Sequence, residues 1–166
     1  MKRLALVTLA VFAALGLGGC LTLTPAQVAG LMRPIEMAET TDPKALLGQA
    51  AGGDAWAQYA ASILYSQGVG GWPIDAVKAD AWRAKAIAPR GYTTVPIYIA
   101  GSKGKPGHTI FTTTPNYVIA PFVGVQIEKC VAALNGAPSA KPKGDPRNAC
   151  GGPENFDRLR AAWPRQ

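Results

Sequence analysis

The sequence has few of the side chains on which catalysis and metal binding usually depend. It contains one histidine, His108, and three cysteines among 166 residues. No two cysteines have the close spacing of a zinc site, and no Ser or Cys nucleophile with a supporting motif stands beside the histidine. We therefore expect no catalytic residue, no metal and no cofactor, and we interpret His108 as a residue at the surface or at a strand end.

Acidic residues are also scarce. Ten Asp and Glu stand against 17 Lys and Arg, which gives a formal net charge of +7. The acids are too scattered to form the carboxylate pair of a glycosidase. A basic excess of this kind favours anionic partners or simply keeps a protein in solution. Most of it lies late in the chain, at Lys103, Lys105, Lys141, Lys143, Arg147, Arg158, Arg160 and Arg165.

The apolar stretch at the N-terminus is too short to span a membrane. Residues 1–3 are Met-Lys-Arg, an apolar run follows over 4–17, and residues 17–20 read Leu-Gly-Gly-Cys. A helix that crosses a bilayer needs about 20 apolar residues. A positive start, a short apolar run and small residues are typical of an export signal. Export from the cytoplasm disfavours nucleic acid as a partner.

The motif at residues 17–20 resembles the lipobox of bacterial lipoproteins, in which the cysteine thiol is acylated and the cysteine becomes the first residue. The resemblance implies a signal peptide over 1–19 and lipidation of Cys20. The mature protein is then anchored to a membrane of the cell envelope without spanning it. Leu21 in place of Asp after the cysteine favours the outer membrane, facing the periplasm. An ordinary secretory signal that leaves Cys20 as a free thiol is the alternative.

If Cys20 carries lipid, Cys130 and Cys150 remain as an even pair. A cysteine pair in an oxidising compartment usually forms a disulfide. The closed loop of about twenty residues would stabilise the fold by roughly 3 kcal/mol. We predict that the bridge is architectural, with two buried free thiols as the alternative.

Residues 53–86 have the clearest local organisation in the chain. Apolar residues recur at helical spacing on both sides of residues 68–73, where Gly and Pro would break a helix. The pattern predicts two helices joined by a turn, and it resembles one Sel1-like repeat, a relative of the tetratricopeptide repeats. The resemblance is carried by Ala57, Gln58, Tyr59, Leu64, Tyr65, Gly68, Gly70, Asp75, Lys78, Ala79, Trp82, Lys85 and Ala86.

Sel1-like proteins act as adaptors for other proteins, so the resemblance implies an envelope lipoprotein that binds a protein partner. Tyr59, Tyr65 and Trp82 occupy positions that the family uses for packing. Trp56 and Trp72 lie outside these positions, and we predict that they face the partner. Two alternatives stay open. One is a structural lipoprotein whose basic loops hold an anionic envelope polymer; the other is an enzyme acting on cell-wall material, with a site near His108.

The remaining sequence predicts further helices around this unit. Thr24-Pro25 is typical of a helix start, and Pro34 is expected to kink or end that helix near Arg33. Asp42-Pro43 starts a short helix that ends before Gly52-Gly53. Later helices are predicted after Pro121, with one apolar face to Leu134, and over an apolar side formed by Phe156, Leu159 and Trp163.

Two strand-like runs, 93–99 and 109–114, flank a loop rich in Gly and Lys over 101–107. They predict a β-hairpin with a basic tip. Because a two-stranded hairpin is only marginally stable alone, we expect it to lean on the helices. The predicted fold class is thus mainly α with a small β-hairpin in the C-terminal half. The predicted division is 1–19 signal peptide, 20–41 anchored segment with one helix, 42–88 Sel1-like region and 89–166 C-terminal region of the same domain.

Overall fold

Six α-helices, two short 3-10 helices (Val69–Gly71 and Pro146–Cys150) and one β-hairpin make up the part of the chain that the computed structural model describes, residues 25–136 and 145–163. The predicted mainly α fold with a small β-hairpin in the C-terminal half is confirmed. The predicted signal peptide, Cys20 and residues 137–144 lie outside the described residues. The elements are α1 Pro25–Thr40, α2 Pro43–Ala51, α3 Ala55–Gln67, α4 Ala76–Ala86, β1 Gly91–Ile99, β2 His108–Asn116, α5 Pro121–Leu134 and α6 Pro153–Ala162.

Aspartates start the three helices of the predicted repeat region. Asp42, Asp54 and Asp75 are the N-cap residues of α2, α3 and α4, and each carboxylate accepts backbone N–H bonds of 2.8–3.1 Å from the following turn. An N-cap of this kind stabilises a helix by about 1 kcal/mol. The predicted start of α2 at Asp42-Pro43 is therefore confirmed.

Helix α3 is the centre of the core. Every residue from 55 to 65 except Trp56 is buried, and α1, α2 and α4 pack against it. The alanines at 57, 60 and 61 are wholly covered, since their small side chains let neighbouring helices approach closely. The polar Gln58 is satisfied inside the core, because its amide donates to the Ala50 carbonyl at 3.0 Å.

The turn between α3 and α4 depends on glycine. Gly68 ends α3 with φ at 64°, and a Cβ there would lie 3.0 Å from the Ile74 side chain and 3.1 Å from the Trp72 carbonyl oxygen. The Asp75 N–H then donates to the Tyr65 carbonyl at 2.9 Å, which brings the chain back along α3. The predicted helical hairpin is present.

Helix α1 differs from the prediction at Pro34. The sequence predicts a kink or an end near Arg33, and the end is wrong because the helix continues through Pro34 to Thr40. Pro34 is fully buried, and Leu31, Ile35 and Ala38 are buried on the same helix. Burial of this apolar face offsets the backbone hydrogen bond that the proline removes.

The C-terminal elements are held to α5 and α1. Cys130 in α5 and Cys150 form the predicted disulfide, with their Cα atoms 4.8 Å apart, and both cysteines are fully buried. Arg158 of α6 pairs with Glu36 of α1 at 2.6 Å. The bridge lies inside the core, which supports the prediction that it is architectural.

The β-hairpin does not lean on the helices as predicted. Strands β1 and β2 pair antiparallel, with Gly91 opposite Asn116 and Ile99 opposite His108. Every strand residue except Gly91 and Pro115 is exposed. Arg90 connects the base of the hairpin to the body, since its guanidinium donates to the Gln58 side-chain oxygen at 2.9 Å. The hairpin therefore projects from the helices, and its apolar residues are left uncovered.

Candidate functional site

Side chains of the hairpin alternate between two faces, and both faces are apolar. Successive residues of a strand point to opposite sides, and residues opposite each other in the register point to the same side. The aliphatic face consists of Val95, Ile97, Ile99 and Ile110, which are 39–45% exposed. The aromatic face consists of Tyr92, Tyr98 and Phe111, which are 67–73% exposed. Neither face is covered by the described part of the protein.

Further exposed apolar residues follow the hairpin along the chain. Tyr117 and Val118 follow β2, Phe122 and Val125 lie on α5, and all four are 38–54% exposed. Single exposed apolar residues are ordinary, but a contiguous run of them is typical of an interaction site. Residues 92–125 therefore form the candidate binding element of this protein.

This element also contains no acid. The sequence has no Asp or Glu between Asp80 and Glu128. The loop at the tip of the hairpin presents Lys103 and Lys105, both exposed. This loop is packed on itself, since a Cβ on Gly107 would clash with the Tyr98 phenol. The hairpin is thus an uncharged apolar ribbon with a positive end.

The two outer edges of the hairpin differ because of proline. Pro96 lies opposite Phe111, and Pro115 lies opposite Tyr92. Proline has no N–H, so it fits a two-stranded ladder where that group would point away from the partner strand. Residues that alternate with these prolines then also point their N–H groups outward. Pro96 interrupts the outward donors in the middle of β1, whereas Pro115 falls near the end of β2 and leaves Thr109, Phe111 and Thr113 as an unbroken row.

His108 begins β2 and is exposed. It faces Ile99 in the register, and its position at a strand end agrees with the sequence prediction. In the part of the chain that the structure describes, no group of three or more His, Cys, Asp and Glu side chains could hold a metal ion.

Trp56 and Trp72 are both partly buried against the core, and they lie at opposite ends of α3. Trp56 lies beside Gly30, with the Arg33 guanidinium 5.7 Å from its ring centroid. Trp72 packs edge-on against Tyr65 with the ring centroids 6.1 Å apart. Each ring therefore has a packing contact, and the two do not form one surface. A role in partner binding stays a prediction for both.

A cleft of about 280 Å³ lies between α3, α4 and α5. The Arg83 guanidinium at its edge pairs with Asp80 and Glu128, each at 2.9 Å. Asn135 on the same cleft accepts a 2.7 Å hydrogen bond from the Trp163 indole. Because these polar groups bind one another, they tie the helices together and do not converge on a ligand.

Among the acidic residues that the structure describes, Glu39 has the largest shift in pKa. It lies on α1, half-buried, and its Oε1 is buried without a hydrogen-bond partner among the described residues. Burial, and next the negative charge of Glu36, raise the pKa of its carboxyl to about 7, although Arg158 opposes this. The group lies in the seam between α1 and α6, far in sequence from the hairpin.

None of the helices that the structure describes is long and apolar enough to cross a bilayer. No family model, no curated protein and no solved structure matches the chain. The resemblances to a Sel1-like repeat and to a lipobox therefore stay predictions from the sequence pattern.

Proposed function

We propose that this protein is a non-catalytic adaptor of the bacterial cell envelope, anchored through lipid on Cys20, and that the β-hairpin binds its partner protein. The observation that carries the proposal is the exposure of two apolar faces on one projecting hairpin. An exposed Tyr or Phe offers a large contact area at a small cost in conformational entropy, which is why such residues dominate binding surfaces.

The Sel1-like helical hairpin serves as the scaffold in this proposal. Helix α3 is covered by α1, α2 and α4, so it has no open concave side of the kind that repeat arrays use for binding. The scaffold instead fixes the base of the β-hairpin through Arg90, which reaches Gln58 and, at 3.3 Å, the Gly53 carbonyl. In this proposal the partner binds the β-hairpin, and not the surface around Trp56 and Trp72.

Cross-linking in cells tests this function. The double variant Tyr92→Ser, Tyr98→Ser removes the β1 part of the aromatic face, and partners would be identified by mass spectrometry of the cross-linked products. Val77→Ser on α4 is the matched control, because Val77 is 80% exposed and lies outside the hairpin. Wild type and Val77→Ser should both give a cross-link to one envelope protein. The double variant should give at least tenfold less of this product. Equal recovery from all three forms would refute the proposal.

The acid-free tip supports a second candidate, in which Lys103 and Lys105 hold an anionic envelope polymer. Contacts of this kind are screened by salt. Sedimentation with isolated cell-wall polymer should then weaken steeply between about 50 and 300 mM salt, and Lys103→Gln, Lys105→Gln should remove most of the binding. Binding that is weakened neither by salt nor by Lys103→Gln, Lys105→Gln would exclude this candidate.

A further inference from the structure

We propose that two copies of this chain pair through the outer edge of β2 and form a four-stranded antiparallel sheet in the order β1, β2, β2, β1. This pairing uses the edge of the hairpin, whereas the proposed adaptor function uses its faces. It goes beyond that function and does not depend on the envelope partner.

The β2 edge has the properties of a strand that accepts another strand. Natural sheets protect exposed edges with charge, proline, bulges or short strands. Strand β2 is nine residues long, carries no Lys, Arg, Asp or Glu, and has its proline at position 115, beyond the row of outward N–H groups. The β1 edge has Pro96 at its centre and is protected. The two edges of one hairpin therefore differ, and only β2 is open over its length.

The register that uses the whole row of outward N–H groups has its twofold axis at Phe111. In this register Phe111 lies opposite its own copy and Thr109 lies opposite Thr113. The two Phe111 side chains then lie on the same face with Cβ atoms about 5.5 Å apart, close enough for their rings to pack. Phe111 is 73% exposed in the single chain, and this arrangement covers it.

Charge and size agree with a weak, reversible pair. The only Lys or Arg side chains within residues 91–116 are Lys103 and Lys105, and antiparallel pairing places the two tips at opposite ends. The shared edge over 108–114 is about 24 Å long at ~3.4 Å per residue. One strand edge of this length is a smaller interface than the ~800 Å² per partner that stable complexes usually bury. We expect association to be weak in dilute solution and stronger when both copies are held in one membrane.

A lipid surface is the other occupant that an apolar hairpin suggests, and the edges argue against it. Unpaired N–H and C=O groups are costly in hydrocarbon, so an open two-stranded ribbon does not insert readily. Only two lysines would attract anionic headgroups, at about 1 kcal/mol each. A second copy satisfies the β2 edge directly, and a four-stranded sheet relieves the marginal stability of an isolated hairpin.

Cysteine cross-linking in membranes from cells that express the full-length chain tests the register. In the double variant Thr109→Cys, Thr113→Cys, the thiol at 109 of one copy lies opposite the thiol at 113 of the other. Mild oxidation should then give a covalent dimer on a non-reducing gel. The matched control is Thr94→Cys, Tyr98→Cys, which has the same spacing centred on Pro96 of β1. We expect at least fivefold more dimer from the β2 pair. No dimer from this pair, or equal amounts from both, would overturn the proposal.

Proline substitution tests the edge without new thiols. Thr94 and Thr113 face each other in the register, and each points its N–H outward from its own strand. Two differently tagged copies of the full-length chain should co-purify, and Thr113→Pro should reduce this at least tenfold while Thr94→Pro leaves it unchanged. Equal losses from both variants, or loss from neither, contradict the proposal.

Flotation separates the lipid surface from the second copy. The Cys20→Ser chain is mixed with vesicles of phosphatidylcholine and phosphatidylglycerol, and we expect no hairpin-dependent binding. Vesicle binding that Phe111→Ser abolishes, together with no covalent dimer from the β2 cysteines, would assign the hairpin to lipid and overturn the self-pairing. A negative result in the dimer experiments does not affect the cross-link to the envelope partner, which depends on Tyr92 and Tyr98. The self-pairing and the adaptor function can therefore fail independently.

Discussion

Replacing Glu39 with Gln should remove a specific pH dependence of stability. Burial, followed by the charge of Glu36, raises the pKa of the Glu39 carboxyl from 4.5 to about 7 in the folded protein. Between these values the folded chain holds a proton that the unfolded chain has released. The folded state is therefore favoured most at low pH, and the free energy of unfolding falls as the pH rises through 7.

The size of this effect follows from the pKa difference. One unit of pKa corresponds to about 1.4 kcal/mol, which would give roughly 3 kcal/mol for a fully buried carboxyl. Glu39 is only half-buried, and solvent screening reduces the difference to about 1 to 2 kcal/mol. Compensation of this burial is incomplete, because the Arg158 guanidinium pairs with Glu36 at 2.6 Å and the Glu39 Oε1 has no hydrogen-bond partner among the described residues.

Urea unfolding at pH 5, 6, 7 and 8 measures this dependence. Asp75 and Asp145 have lowered pKa values, because each accepts hydrogen bonds, from Lys78 and Arg147 respectively, so both are ionised throughout this range. Wild type should lose about 1 to 2 kcal/mol across the series, and Glu39→Gln should stay nearly level. Glu154→Gln, at an exposed position of α6, is the control that keeps the wild-type slope. A wild-type stability that rises with pH, or equal slopes in all three proteins, would refute the reasoning.

Three further outcomes are expected. Cys130→Ser, Cys150→Ser should lower the free energy of unfolding by about 3 kcal/mol, and reductant should destabilise wild type in thermal unfolding while leaving this variant unchanged. Tyr59→Phe should cost about 1 kcal/mol in urea unfolding, because the buried phenol donates a 2.9 Å hydrogen bond to the Gly124 carbonyl that joins α3 to α5. Cys20→Ser should move the protein from the membrane to the soluble fraction of the periplasm; retention in membranes would refute the lipid anchor.

The helices within residues 42–88 were predictable because their signals are local. Asp42 caps α2 at the position that the sequence indicates, and Asp54 and Asp75 cap α3 and α4 in the same way. Gly68 adopts the left-handed conformation that ends α3. Each of these features depends on a few neighbouring residues, and neither a cap nor a turn glycine needs a partner from elsewhere in the chain.

Pro34 was misread because its effect is decided by packing. A proline beyond the first turn of a helix removes one backbone hydrogen bond. In α1, however, Pro34 is fully buried between Leu31 and Ile35 on the core side. Helix α1 packs against α3 and α5, which lie far along the sequence, so local signals do not contain these packing partners.

The strands of the hairpin were predictable, but their exposure was not. β-Branched and aromatic residues at 93–99 and 109–114 indicate strands whether or not anything covers them. One signal was available: a strand with one buried face alternates apolar with polar or charged residues, whereas Tyr92–Ile99 has apolar residues and Thr on both sides and no charge. That pattern fits a ribbon with two binding faces as well as a covered strand, so composition alone left the choice open.

The relation of the hairpin to the core is the strongest reason to assign it a binding role. The buried cluster draws on all six helices, with Leu31, Leu46, Leu64, Ile127 and Leu159 among its members, and contains no residue of β1 or β2. Stability of the helical body therefore does not require the hairpin, and an uncovered apolar ribbon adds a risk of aggregation. The hairpin contributes nothing to the core and carries this risk, and a binding partner that covers its apolar residues explains why it is there. The unequal edges left by Pro96 and Pro115 indicate that a second copy would pair with β2.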